Sequence, residues 1–291
     1  VREGTPVLIW PHADTRAEDI IYSGGDEAQR RSLLRRAARL FAHTAAEAGW
    51  SRAVAMVPTW FLAKAWNRSL VLAAGGRAPG GVACSCCGWT GRAFGTYWDP
   101  SEVIHRFECP VCSSHPRHRF LARCLRDWLD VEDGPVLHTA PEPALDGLFT
   151  RKDGTDARIT TDYAMAGVDC LANLCHLPFP DASFSGILCS HVLEHIEDDA
   201  AAMGELCRVL RPGGLAVVCV PEGDAPATVE FGFADPLKTH HWRDYGRDVA
   251  TKLEGAGFEV TTVTPETCGQ DVARLGLSPH ERVHLCRRPA R

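Results

Sequence analysis

The chain has 291 residues, enough for one large or two small domains and for a buried core. It is 45% hydrophobic and 23% charged, an ordinary globular composition, and a net charge of -6 argues against a surface built to grip nucleic acid all round. No stretch is long and apolar enough to span a bilayer, and Val1 to Trp10 lacks the charged start and long apolar run of a secretory signal, so a cytoplasmic protein is expected.

Residues 1 to 80 read as a mostly helical extension, a possible lid over a substrate. After Val7-Leu8-Ile9-Trp10, the stretch from Asp26 to Trp50 puts Leu33, Leu34, Ala37, Leu40, Phe41 and Ala45 on one face. Arg30, Arg31, Arg35 and Arg36 fall among the rest, as a solvated face or a phosphate site. Trp60, Phe61, Ala63 and Trp66 predict a second helix, and Gly75 to Gly81 is a linker by composition.

Residues 82 to 115 carry the densest cysteine cluster. Thirteen cysteines are many for this length, and most stand singly in apolar segments, as Cys170, Cys175, Cys189, Cys207, Cys219 and Cys286 do. Such thiols act as small hydrophobes and fit a reducing compartment. Cys84–Cys87 and Cys109–Cys112 are different: two CxxC pairs with 21 residues between them. Four thiolates at this spacing close around one Zn2+ as a zinc ribbon, with no open coordination position, so the metal is structural. Cys86 competes with Cys84 or Cys87 as ligand, and His115 or His118 can replace one thiolate. The null alternative is a set of unmetallated thiols or a redox pair.

Residues 116 to 291 alternate helix and strand. A helix is predicted from Pro116 to Asp130, then strands at Pro135–Thr139 and Ala157–Thr160. Ile187-Leu188-Cys189 reads as a buried strand. Glu197 to Leu210 reads as a helix, with Ala200, Met203, Leu206, Val209 and Leu210 at helical spacing. Gly213 and Gly214 are expected to end it with positive φ, before a strand from Leu215 to Val220. A helix from Arg247 to Gly255 and a hairpin of Phe258–Val263 with Arg282–Cys286 close the chain. Strands alternating with helices in this way make an α/β fold on a parallel sheet.

The run from Leu177 to Pro221 resembles the second half of a class I S-adenosylmethionine (SAM)-dependent methyltransferase. LPFPD, a strand with a polar end, HVLEH and RVLRPGG match that family in order and spacing. The turn at Ala140–Pro143 and the run from Cys109 to Arg119 are similar to a group of bacterial zinc-ribbon methyltransferases. The resemblance covers about residues 82 to 288. It implies a Rossmann-like, seven-stranded, mostly parallel sheet with helices on both faces, and SAM as cofactor.

The resemblance also implies site residues. Where the family has a glycine-rich turn against the SAM amino acid moiety, this chain has Thr139 followed by Ala140-Pro141-Glu142-Pro143-Ala144-Leu145. Ala140 and Ala144 are small enough for close approach, and Glu142 is expected to receive the SAM ammonium. Asp162 is expected to accept hydrogen bonds from ribose hydroxyls, or else to cap a turn. Asn173, with Leu174 beside it, stands where the family usually has Asp facing the adenine amine, and its carbonyl oxygen accepts the same bond. Ser190 and His191 follow the fourth strand at the carboxyl edge of the sheet. His191 is the first candidate for a base that takes a proton from the methyl acceptor, or else a packed ring, whereas His195 reads as structural. His241, Arg243 and Tyr245, in the run Thr239–Gly246, match a His, Arg and Tyr of the similar group. They are expected to hold an anionic substrate or supply the base, or else to form a surface cluster.

The expected reaction is methyl transfer to O, N or an activated carbon of a small molecule, in specialised metabolism. Two alternatives stand beside it. One is an RNA or protein methyltransferase that uses the ribbon for recognition, although residues 84 to 126 hold only six Arg against three acidic residues. The other is a methyltransferase fold repurposed as a non-methylating cyclase or lyase, or as a binding partner. The acceptor and the oligomeric state are left open.

Overall fold

A computed structural model describes residues 81–98 and 103–290, together with the helical positions Leu62, Ala65, Trp66 and Ser69. The helix expected from Asp26 to Trp50, most of the second predicted helix and the Gly75–Gly80 linker lie outside the described residues. In chain order the elements are β1 (Val82–Ala83), β2 (Thr90–Gly91), β3 (Gly95–Trp98), β4 (Val103–Glu108) and α1 (Pro116–Trp128). Then come β5 (Val136–Thr139), β6 (Arg158–Asp162), β7 (Cys170–Leu171), β8 (Phe184–Ser190), α2 (Asp199–Val209) and β9 (Leu210–Cys219). Last are β10 (Val229–Asp235), β11 (His241–Asp244), α3 (Val249–Gly255), β12 (Glu259–Val263), α4 (Val272–Leu275) and β13 (Val283–Arg287).

The chain divides into two compact units. The described part of one is residues 62, 65, 66, 69, 81–82, 90–98 and 103–113. Its frame is the antiparallel hairpin β3–β4, with Gly95 opposite Glu108 and Tyr97 opposite Ile104. The Tyr97 and Phe107 rings lie 5.5 Å apart.

The other unit, described over 83–89 and 114–290, is built on a seven-stranded sheet in the order β12-β13-β9-β8-β5-β6-β7. Strands β5 to β9 pair in parallel, and β13 runs antiparallel to both β9 and β12. The sheet is therefore the Rossmann-like, mostly parallel one expected, and its last two strands form the closing hairpin.

Both faces of the sheet are buried, as parallel strands require. Along β8, Ile187 and Cys189 pack on one face with Ala202, Met203, Leu206 and Val209 of α2 and Val249 and Leu253 of α3. Leu188 points the other way, to a cluster holding Phe120, Leu121, Cys124 and Leu125 of α1. Alternate residues of β9 divide in the same manner, Ala216 and Val218 to the first face, Val217 and Cys219 to the second. Each fully buried side chain of this kind contributes roughly 1.5–3 kcal/mol.

Helix α2 ends differently from expectation. Its cap, Leu210, is already extended and pairs with Phe184 of β8. Gly213 does take positive φ (78°), but it shapes the irregular register within β9, where Leu215 next pairs with Gly186; Gly214 does not have positive φ. Strand pairing, not a glycine cap, stops the helix.

One polar ring interrupts the core. His138 of β5 is fully buried against Phe149, with ring centroids 5.1 Å apart, and neither ring nitrogen has a partner among the described residues. Burial, helped by the charge of Arg158, pulls its pKa from 6.5 to about 4. The unfolded chain therefore binds a proton below pH 6.5 that the folded chain refuses until about pH 4, so stability falls across that window as pH drops. Thermal melts at neutral pH and at the acid end of the window should show a smaller acid loss for His138→Leu than for wild type, by roughly 2–3 kcal/mol. An equal loss in both proteins would refute this role for the ring.

Candidate functional site

Two strand ends at the carboxyl edge set the site. After β5, Ala140 bends the chain with φ of 46° while its N–H donates to Thr161 O at 2.7 Å. After β8, His191 does the same with φ of 52°, its N–H donating to Cys219 O at 2.8 Å. Left-handed backbone at a non-glycine residue costs roughly 1–2 kcal/mol, so two instances on adjacent strands mark a place where the sheet stores strain. The bend at Ala140 has the hand that glycine adopts freely, and the first turn therefore forms without one. Thr139, just before it, is buried and donates its hydroxyl to Leu188 O.

Glu142 lies at the centre of a polar cluster. Its Oε1 accepts from Arg117 Nη2 at 2.5 Å and from His118 Nε2 at 2.7 Å, and its Oε2 accepts from Ser190 Oγ at 3.0 Å. His118 Nδ1 accepts the His115 N–H at 2.9 Å, which fixes the tautomer with the proton on Nε2. Burial alone would push the Glu142 carboxyl up; the hydrogen bonds and charges of His118 and Arg117 outweigh it and hold the group well below the usual carboxylate range. Arg117 Nε is buried with no partner among the described residues. Pro141 and Ala144 flank Glu142 on the same turn, half-buried.

The remaining expected contacts are distributed along the same edge. Asp162 ends β6, and its Oδ1 accepts from the N–H groups of Ala164 and Met165 at 2.8 and 2.7 Å, the turn-capping alternative. Asn173 is exposed, and its Oδ1 accepts the Cys175 N–H at 2.9 Å, while Leu174 is buried. His191 stays neutral: burial, then the Arg117 charge, lowers its pKa to about 3.

Arg243 and Tyr245 correct the sequence-based expectation. Arg243 is buried and donates to the carbonyls of Leu193, Ile196 and Glu197 and to the Glu230 carboxylate. Tyr245 is buried and donates its hydroxyl to Asp199 Oδ2 at 2.7 Å; burial and that carboxylate push its phenol far above the ordinary range. Both clamp the segment from Leu193 to Asp199. His241 is half-buried instead, with its ring edge-on to His195 at 4.8 Å.

Sequence reasoning passed over Arg117 and Glu194, and weighed His118 only as an alternative zinc ligand. Arg117, His118 and Arg119 open α1, whose first turn has no acidic residue. Cations there oppose the helix dipole, a conflict readable in the sequence. Arg119 resolves its share structurally, donating to the carbonyls of Ser114, Leu275 and Gly276. Glu194 carries its signal in HVLEH, as a carboxylate directly after a buried leucine.

The two cysteine pairs sit on similar tight turns. Cys84 O accepts from Gly88 N at 2.9 Å, and Cys109 O accepts from Ser113 N at 2.9 Å. Gly88 and Ser113 both have positive φ. Cys84 and Cys87 stand on the first of these turns, and Cys109 and Cys112 on the second. Cys86 packs against the core beside α1, and both nitrogens of His118 are engaged. Four thiol donors of this kind suit Zn2+.

Residues 152–218, from just before β6 to the end of β9, match a family described as a methyltransferase domain. The chain is similar to a probable S-adenosylmethionine-dependent methyltransferase of Mycolicibacterium smegmatis, with 38% identity over 104 residues, 35% of this chain and 39% of that one. It is also similar to a probable S-adenosylmethionine-dependent methyltransferase of Mycobacterium tuberculosis, with 39% identity over 88 residues, 30% of this chain and 31% of that one. It thus spans about a third of the length of these curated relatives. Among solved structures it resembles an S-adenosylmethionine-dependent methyltransferase from Mesorhizobium loti, with 18% identity and a TM-score of 0.41 over 57% of this chain and 97% of that chain. The strand order and the matched segment together give this chain the α/β Rossmann-like fold of methyltransferases.

Proposed function

We propose that this protein is a SAM-dependent methyltransferase that acts on O, N or an activated carbon of a small molecule. The observation that carries the reading is the convergence of Glu142, Arg117, His118, Ser190 and His191 at the carboxyl ends of β5 and β8. In open α/β sheets ligands bind at that edge. When bound, SAM supplies a methyl group on a sulfonium that leaves as a neutral thioether.

The residues fit that cofactor's charged end. Glu142 keeps acceptor capacity for an ammonium, and the buried, unpartnered Arg117 Nε suits the neighbouring carboxylate. Asp162 ends β6 beside this turn, and while its Oδ1 caps the turn its Oδ2 takes the ribose, with Asn173 and Leu174 further along the edge. His191, held neutral, accepts a hydrogen bond from an O–H or N–H nucleophile and orients it. Its low proton affinity makes orientation, not charge, its first contribution.

The RNA reading loses support from the same geometry. Of the arginines in the ribbon and α1, Arg117 binds Glu142, Arg119 binds carbonyls, Arg123 binds Asp127 and Arg126 binds the carbonyls of Ser85 and Cys86. Of the six, Arg92 and Arg106 are the two left exposed without a hydrogen-bond role described above. The non-methylating reading rested on the missing glycine, and the left-handed bend at Ala140 removes much of its force. Zn2+ on Cys84, Cys87, Cys109 and Cys112 is structural, and such sites supply roughly 10–16 kcal/mol to folding. Buried thiols such as Cys124 and Cys189 agree with a reducing compartment such as the cytoplasm. Among the described residues no helix is long and apolar enough to cross a membrane.

Two measurements test this reading. Arg117→Met should raise the KM for SAM about tenfold or more while leaving the fold intact by circular dichroism; an unchanged KM in a transferring enzyme would remove Arg117 from the cofactor site. Cys109→Ser should lower the zinc content and the Tm together. Full zinc in that variant would sink the four-thiolate assignment.

A further inference from the structure

Glu194 stands on the short 3-10 turn Leu193–His195 that follows β8. Its side chain is 1% exposed, and neither carboxylate oxygen has a hydrogen-bond partner among the described residues. Holding a dry, unpartnered carboxyl group in place costs several kcal/mol. The clamp from Arg243 fixes the carbonyls on either side of it, so the fold does not let the group escape to water. The ligand for this carboxylate is something that the described residues do not supply.

Two imidazoles face it. His195 Nε2 is 4.0 Å from Glu194 Oε1, and His241 enters from β11 with its ring edge-on to that of His195. One donor atom from each of Glu194, His195 and His241 lies within 4.8 Å of the other two. We propose that these three residues bind a divalent transition metal ion, a second site apart from the four cysteines. Two imidazoles and one carboxylate suit Zn2+, Fe2+, Mn2+ or Co2+, and three protein ligands leave coordination positions open.

Metal–ligand bonds of about 2.0–2.2 Å put donor atoms no more than roughly 4.4 Å apart. A bound ion therefore draws the three together slightly, and His195, with 41% of its side chain exposed, has room to follow. His191 Nδ1 lies 3.4 Å from the same Glu194 oxygen, so the ion sits beside the crevice at the end of β8. If the methyl-transfer reading holds, an oxygen or nitrogen of the acceptor fills an open position on the ion, which makes its proton easier to lose. Metal binding itself does not depend on that reading.

The test is a Co2+ titration of the full chain with its cysteines zinc-loaded, followed by visible absorption and calorimetry. Wild type should take up Co2+ saturably, with the weak visible bands of nitrogen and oxygen ligation and no thiolate charge-transfer band. Glu194→Gln, nearly isosteric, and His241→Ala should each weaken that binding about tenfold or more, with circular dichroism unchanged. Absence of saturable binding in wild type, or equal affinity in folded Glu194→Gln, would overturn the proposal. S-adenosylhomocysteine binding measured on the same samples separates the two readings. Cofactor binding without Co2+ binding defeats the metal site alone, and Co2+ binding without cofactor binding leaves the metal site standing.

Discussion

Strands β5, β8 and β9 are covered on both faces, so no polar chain end or charged group can rest along their length without cost. Polar chemistry is forced to the places where the strands stop. The bends at Ala140 and His191 are the consequence: each turns the backbone sharply out of the sheet while its N–H stays bonded to a neighbouring strand. Glu142, Ser190 and His191 are delivered to one edge because the parallel register puts the ends of β5 and β8 side by side, Thr139 opposite Cys189.

Charge at that edge is organised by layers of support. Arg117 and His118 come from the start of α1, where a cation is unwelcome to the helix dipole, and Glu142 offsets that conflict. On the other side, Arg243, Tyr245, Asp199 and Lys252 form a network that holds the segment after β8. The Lys252 ammonium also reaches Glu230, which ties α3 and β10 to the same cluster. A buried network of this sort favours one geometry because breaking it would strand a charge. Arg243, Tyr245, Asp199 and Lys252 thus fix the segment that carries Glu194 and His195.

Much of the sheet was legible in the sequence because its signals are local. Apolar runs named β5, β8 and β9, helical spacing named α2, and the closing hairpin of β12 and β13 fell where expected. Roles that depend on distant partners were not legible. Arg119 bonds carbonyls more than 150 residues away, at Leu275 and Gly276. Arg243 and Tyr245 look like substrate groups in a polar-aromatic run, yet their partners in the segment from Leu193 to Asp199 are set by tertiary packing. The end of α2 was misassigned to a glycine because the competing strand pair, Leu210 with Phe184, is invisible without the fold. Glu194 was passed over because the absence of a partner is a property of three dimensions.

The central claim is that the turn from Thr139 to Glu142, with Arg117 behind it, still forms a SAM site although it lacks the family's glycines. Calorimetric titration of the zinc-loaded protein with S-adenosylhomocysteine tests this most directly. The account predicts saturable binding with a micromolar Kd, roughly 8 kcal/mol. No heat from folded protein, at any ligand concentration that saturates a micromolar site, would contradict it.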